Sequence, residues 1–270
     1  MTGAPARLLA GFAVLASLLT ACTPVADPSQ TATGQPSAVS TTLPTAAPSL
    51  APSQTAEAAP PPPAPAPPPV PEAYTLNLYQ EGDFVPQYTF DWCVAASIQM
   101  AHNLVDDTGG ASWAGSAQQG ELWDMARARS SNAFNGANPR GWAQVLIEVG
   151  MGPYTVVSIA SYEDTLQTAA RALAETGRPV GLVMWSGRHA WVMSGFESMG
   201  DPALFPEFQV TGVHVLDPLY PYGSGQWGPS PAPNSLLTPE QLATQFVVRE
   251  PRRWSTDLPT GYLLVLPVAA

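Results

Sequence analysis

The proline-rich stretch Thr23–Glu72 limits what this chain can fold into. It holds fifteen of the thirty-one prolines of a 270-residue sequence, and the rest is mostly Ala, Ser, Thr and Gln with almost no charge. Such a segment lacks the apolar side chains needed to offset the entropy of ordering it, so it buries no core. Its densest part, Pro60–Pro71, favours polyproline II, and fifty residues wholly in that conformation would reach ~150 Å. Ser and Thr mixed with Pro also leave room for O-glycosylation. Folding is thereby confined to Ala73–Ala270, which contains all eight tryptophans and is long enough for one domain with a substantial core. The composition predicts a disordered tether over 22–72 followed by a single folded domain over 73–270.

Ahead of the tether, Arg7 precedes the apolar run Leu8–Leu19 and then Thr20-Ala21-Cys22. The run is too short to span a bilayer comfortably and suits the central region of a secretory signal. Leu19-Thr20-Ala21-Cys22 resembles a bacterial lipobox. That resemblance implies a signal peptide over 1–21, lipidation of Cys22, and a head held at the extracytoplasmic face of a bacterial cell membrane. An ordinary cleaved signal, or a disulfide between Cys22 and Cys93, are the alternatives. The domain carries eighteen acids against nine arginines and no lysine. This charge argues against nucleic acid as a partner and against electrostatic attraction to anionic lipid, so attachment to the membrane would be covalent. The domain is expected to be a monomer.

Within the domain, a strand is predicted over Tyr74–Tyr79 and helices over Trp92–Leu104 and Gln118–Arg129. Asn138-Pro139 opens a third helix, with an N-cap followed by proline at the first helical position, and that helix ends before Gly150. Ser161-Tyr-Glu-Asp164 starts a helix to Glu175 with Gly177 as its stop. Strands follow at Val180–Trp185, His189–Phe196, Phe208–Leu216 and Gly261–Leu266, and Thr238-Pro-Glu-Gln241 opens a short helix. Helices first and an antiparallel sheet second predict an α+β domain. The sequence shows no internal repeat, phosphate loop, nucleotide fingerprint or paired-cysteine metal site, so no cofactor and no metal are expected.

Cys93 is the only cysteine of the folded part, and it has no partner there for a disulfide. It stands in Gln87-Tyr-Thr-Phe-Asp-Trp-Cys93-Val-Ala-Ala-Ser-Ile-Gln-Met100, six positions after Gln87 and at the head of a helix. A buried small hydrophobe is the ordinary role of a lone cysteine. The downstream segments Gly187-Arg-His189-Ala-Trp-Val-Met-Ser-Gly195 and Val213-His-Val-Leu-Asp217 argue for a second role, because they supply a histidine and an acid on strands in that order. The other two histidines fail on geometry. His102 lies nine residues beyond Cys93 on the same helix, which at ~100° per residue turns it to the opposite side, roughly 13 Å along the axis. His214 stands three positions from Asp217 in one strand, on the opposite face. The three histidines also lack the close pairing of a zinc set.

This order of Gln, Cys, His and Asp resembles the C39-like branch of the papain superfamily of cysteine peptidases. The resemblance implies a papain-like fold in which a nucleophile helix packs on an antiparallel sheet. It also implies Cys93 as nucleophile, His189 as general base and acid, Asp217 as the residue orienting the imidazole, and Gln87 as an oxyanion donor beside the Cys93 N–H. The helix dipole would favour thiolate over thiol. Two features depart from the family: Val94-Ala95 stand where many relatives have Gly-Pro, and a long connection separates His189 from Asp217. Asp91 and Asp201 are the other candidate acids. Trp92 and Trp191, together with Tyr220, Tyr222 and Trp227 of the loop after Asp217, are candidate substrate-binding residues because they adjoin the triad in sequence. The expected partner is a peptide or protein substrate, and the expected activity is hydrolysis of a peptide or amide bond. Acyl transfer, cell-wall amidase chemistry of the NlpC/P60 kind, and a catalytically silent module holding a peptide or cell-wall ligand remain open.

Overall fold

A computed structural model describes residues 68–106, 112–131, 136–253 and 255–269. The expected signal peptide over 1–21, the expected lipidation site Cys22 and the expected tether up to residue 67 lie outside the described residues. Fourteen elements follow in order. They are β1 (Ala73–Asn77), α1 (Cys93–Asn103), α2 (Ser116–Ala128), α3 (Pro139–Glu148), β2 (Tyr154–Ile159), α4 (Tyr162–Thr176), β3 (Val180–Met184), β4 (His189–Met199), β5 (Gln209–Leu216), β6 (Gly223–Ser224), β7 (Gly228–Pro229), β8 (Ser235–Leu237), α5 (Pro239–Ala243) and β9 (Tyr262–Pro267). The class is α+β, with a seven-stranded antiparallel sheet ordered β2-β9-β3-β4-β5-β8, to which β1 adds, and a two-stranded sheet of β6 and β7. β1 pairs with the far half of β4, from Gly195 to Met199, beyond the part that pairs with β3.

Alternation along the strands builds two cores, one on each face of the sheet. Val183, Val192, Leu216 and Val265 face α1, α2 and α3, where Val94, Ile98, Leu122 and Trp142 pack. Leu182, Trp191, Met193, Val213 and Leu264 face the opposite way, against Leu166, Ala169 and Leu173 of α4 and Leu242 of α5. A strand covered on both faces needs apolar residues at every position, which explains the wholly buried run Val180-Gly-Leu-Val-Met184. Its one glycine has a packing reason: a Cβ on Gly181 would stand 2.5 Å from the Trp142 ring, so the indole of α3 lies flat on β3 only because that side chain is missing.

Local signals set the helix ends. Asn138 caps α3 by accepting from the Gly141 N–H at 3.0 Å, with Pro139 at the first helical position. Ser161 caps α4 at Asp164, and Gly177 closes it in the left-handed region at φ 62°. Thr238 and Gln241 form a reciprocal capping box on α5.

Candidate active site

α1 begins at Cys93 with an open end. Trp92 stands at its N-cap, yet no side chain caps the first turn and no acid lies within it. The first helical bond runs from the Ala96 N–H to the Trp92 carbonyl, so the N–H groups of Cys93, Val94 and Ala95 have no acceptor inside the helix. The half-buried thiol of Cys93 stands at this electropositive terminus.

A buried amide network fixes the segment ahead of the helix. Gln119 of α2, fully enclosed, donates through Nε2 to the Pro86 carbonyl and to Gln99 Oε1, and its Oε1 accepts from the Tyr88 N–H at 2.8 Å. Gln87, held between those two contacts, donates its own backbone N–H to the Pro218 carbonyl at 2.8 Å, which ties the segment to the end of β5. Its side-chain amide donates to the carbonyls of Thr89 at 3.0 Å and Phe90 at 2.9 Å, while Oε1 is buried with no partner. Both amide hydrogens are thereby engaged, and one must leave its carbonyl before Gln87 can donate to an oxyanion.

β4 starts where its neighbour β5 ends, which brings His189 and Asp217 to one end of the sheet. His189 Nε2 lies 2.6 Å from Asp217 Oδ1, and both side chains are buried. The same Oδ1 accepts the Leu219 N–H at 2.9 Å, and Oδ2 is buried without a partner. Asp217 occupies Nε2, which leaves Nδ1 as the ring nitrogen available to the thiol of Cys93, which lines the same cavity. Burial alone would lower the basicity of the imidazole. The hydrogen bond with Asp217 and the proximity of Cys93 outweigh it and raise His189 from 6.5 to about 9.

Trp185 covers this pair, its ring stacked on His189 with centroids 4.1 Å apart. It is held by two bonds to Gln245, from its backbone N–H at 3.0 Å and from its indole Nε1 at 2.8 Å. Trp185, Ser186 and Gly187 are three consecutive residues in the left-handed region, forming the turn that carries the chain from β3 to His189. Gln87, Cys93 and His189 line one cavity of about 560 Å³. Its apolar walls include Ala137, Trp142, Val183, Trp185 and Leu219; Phe90, strongly exposed, stands on its border, and Asp91, Arg188 and Arg252 add charge.

The structure thus groups Cys93, His189, Asp217 and Gln87, with Asp91 on the wall of the same cavity, and places the five aromatic candidates elsewhere. None of the five aromatic candidates lines the cavity. Trp92 packs on Trp123 with ring centroids 6.4 Å apart, and Trp191 is fully buried in the α4-side core. Tyr220 sits edge-on to Phe84, Tyr222 is exposed, and Trp227 packs against the α4-side core. Trp191 alternates with Ala190 and Val192 and therefore faces the α4-side core. His102 stacks on Trp113 at 3.9 Å and His214 Nδ1 lies 3.3 Å from the Asn234 carbonyl, so both have structural partners. Among the described residues, no group of three or more His, Cys, Asp or Glu side chains could hold a metal ion.

Four residues of the cavity, Trp142, Trp185, Arg188 and Arg252, were not legible as site residues in the sequence. Trp185 and Arg188 had a usable signal, since both flank the Ser-Gly turn immediately before His189. Trp142 and Arg252 had none, because α3 and the segment after β8 reach the cavity only through tertiary packing. No family model, no curated protein and no solved structure matches this chain.

Proposed function

We propose that the domain is a cysteine hydrolase of peptide or amide bonds with a papain-like, C39-like layout, lipid-anchored through Cys22 at the extracytoplasmic face of the membrane. The observation that carries this reading is the buried contact of His189 Nε2 with Asp217 Oδ1 at 2.6 Å, on an imidazole that shares one cavity with Cys93 at the open end of α1. In the reaction, the thiol proton passes to His189 Nδ1 and the sulfur attacks the substrate carbonyl carbon. Charge then develops on the carbonyl oxygen, and the free N–H of Cys93 is placed to meet it. The imidazolium returns its proton to the leaving amine as the C–N bond breaks. Water, deprotonated by the same imidazole, hydrolyses the thioester and restores the thiol. Asp217 holds the ring so that Nδ1 faces the sulfur throughout.

A second reading keeps the cleft and removes the chemistry. The engagement of both Gln87 amide hydrogens with Thr89 and Phe90 favours it, since the oxyanion site then lacks one donor until a ligand rearranges the segment. Incubating the protein with a diverse peptide pool and reading new termini by mass spectrometry separates the two. The hydrolase reading predicts cleavage that disappears in Cys93→Ala and falls by about 100-fold or more in His189→Ala. Binding of pool peptides with no new terminus would establish the silent module instead.

A further inference from the structure

The cavity that holds the nucleophile carries more positive than negative charge. Arg188 and Arg252 both line it, in a domain with eighteen acids and nine arginines. Among the described residues, no carboxylate lies within ion-pair distance of either, and the only acid in the lining is Asp91. Most other arginines have evident structural work. Arg129 pairs with Glu148, Arg171 donates to the carbonyls of Pro202 and Pro206, and Arg178 donates to those of Met151, Pro153 and Val268. Buried Arg249 donates to Leu258, Pro259 and Ser255, and so shapes the loop that brings Arg252 and Ser255 to the cavity. The Arg188 side chain reaches only the neutral side chain of Gln226, at 3.3 Å, and among the described residues the guanidinium of half-buried Arg252 has no hydrogen-bond partner.

Two guanidinium groups that repel each other at a half-enclosed site are a liability for the folded state that a bound anion removes. The repulsion is evident on Arg252, which burial first, and then the charges of Arg188 and Arg249, hold below the ordinary arginine value. Arginine remains charged in any case and offers a planar fork that matches a carboxylate. The apolar wall of Trp142, Val183 and Ala190 would take the hydrocarbon part of the same ligand.

We propose that Arg188 and Arg252 form an anion subsite of this cavity, so that the preferred substrates carry a carboxylate next to the bond attacked by Cys93. This inference rests on the hydrolase reading and names its substrate class. The carboxylate is either an acidic side chain or a free α-carboxylate.

The test compares alkylation of Cys93 in the purified full chain by iodoacetate, which is anionic, and iodoacetamide, which is neutral and nearly the same size. The ratio of the two rates should fall by about tenfold in Arg188→Gln/Arg252→Gln, because the anionic reagent then loses the attraction of two cations lining the cavity. In wild type the ratio should shrink with added salt, because the attraction is screened. A ratio that survives the double substitution overturns the subsite, even if both reagents react fast. Slow reaction of both reagents in wild type, as with an ordinary thiol, overturns the hydrolase reading itself, so the two failures are distinct. Arg252→Gln alone, followed by the same ratio, serves if the double variant does not fold. Peptidyl vinyl sulfones with Glu against Gln then test the side-chain source, and epoxysuccinyl reagents as free acid against ethyl ester test the α-carboxylate. An arginine-dependent preference for the acid in one series identifies the source, and its absence from both overturns the proposal.

Discussion

Burial disfavours the charged imidazole of His189, yet its contact with the Asp217 carboxylate favours it, and that balance sets how His189 holds its proton. Its protonation is favoured in the fold, with the midpoint raised from 6.5 to about 9 by Asp217 and Cys93 against the opposing effect of burial. A raised midpoint means that the charged form adds stability that is complete below about pH 6.5 and is lost as pH rises through about 9. The wild type should therefore lose stability between pH about 6 and pH about 10, and His189→Gln/Asp217→Asn should lack that slope over the same window. Urea denaturation at a series of pH values measures both, and equal slopes in the two proteins would show that the pair does not titrate there. Both partners were legible in the sequence, because a histidine and an acid on strands are conspicuous in a chain with three histidines. The role of Gln87 was not fully legible: its spacing to Cys93 was visible, whereas the acceptors of its amide, Thr89 and Phe90, depend on how the segment curls before α1.

Among the elements, α3 and β3 form the wall on which the cavity depends. Trp142 on α3 lines the cavity and rests against Gly181 of β3, where a Cβ would stand 2.5 Å from the ring. Gly181→Ala should displace that indole, destabilise the domain by about 1–3 kcal/mol and change the alkylation rate of Cys93, although residue 181 does not line the cavity. Thermal unfolding together with labelling kinetics checks this, and an unchanged stability would mean that the wall yields without strain. The caps at Asn138, Ser161 and Thr238 announced their helices correctly because each acts within one turn. The strands fared less evenly. β2, Tyr154-Thr-Val-Val-Ser-Ile159, has the β-branched content of a strand, yet only its pairing with distant β9 makes it one, and its half-exposed pattern hides the alternation. β8 is three residues long and exists only as a partner for β5. β4 runs three residues beyond the predicted Phe196 because β1 pairs with its far end.

For the whole molecule, the α+β class followed from the sequence because most of the helices precede most of the strands, but the second core did not, since nothing local says that α4 covers the opposite face of the sheet. β1 opens at Ala73, where the proline-rich stretch ends, and Glu72 still accepts a bond from Gly200 at 2.7 Å. The proposed anchor belongs at this scale too. Mass spectrometry of the mature N-terminus should find a lipid-modified Cys22, and an unmodified end elsewhere would refute the anchor. The account as a whole stands on one relation, that Cys93 and His189 act as a pair at the open end of α1. The pH dependence of Cys93 alkylation by iodoacetamide tests it most directly, in wild type and in His189→Ala. The account predicts rapid labelling of the wild type already at about pH 6, where an isolated thiol barely reacts, and a shift of the His189→Ala profile towards that of an isolated thiol. A wild-type profile that matches an isolated thiol and does not move in His189→Ala would contradict it, and Cys93 would then be a structural residue of the core.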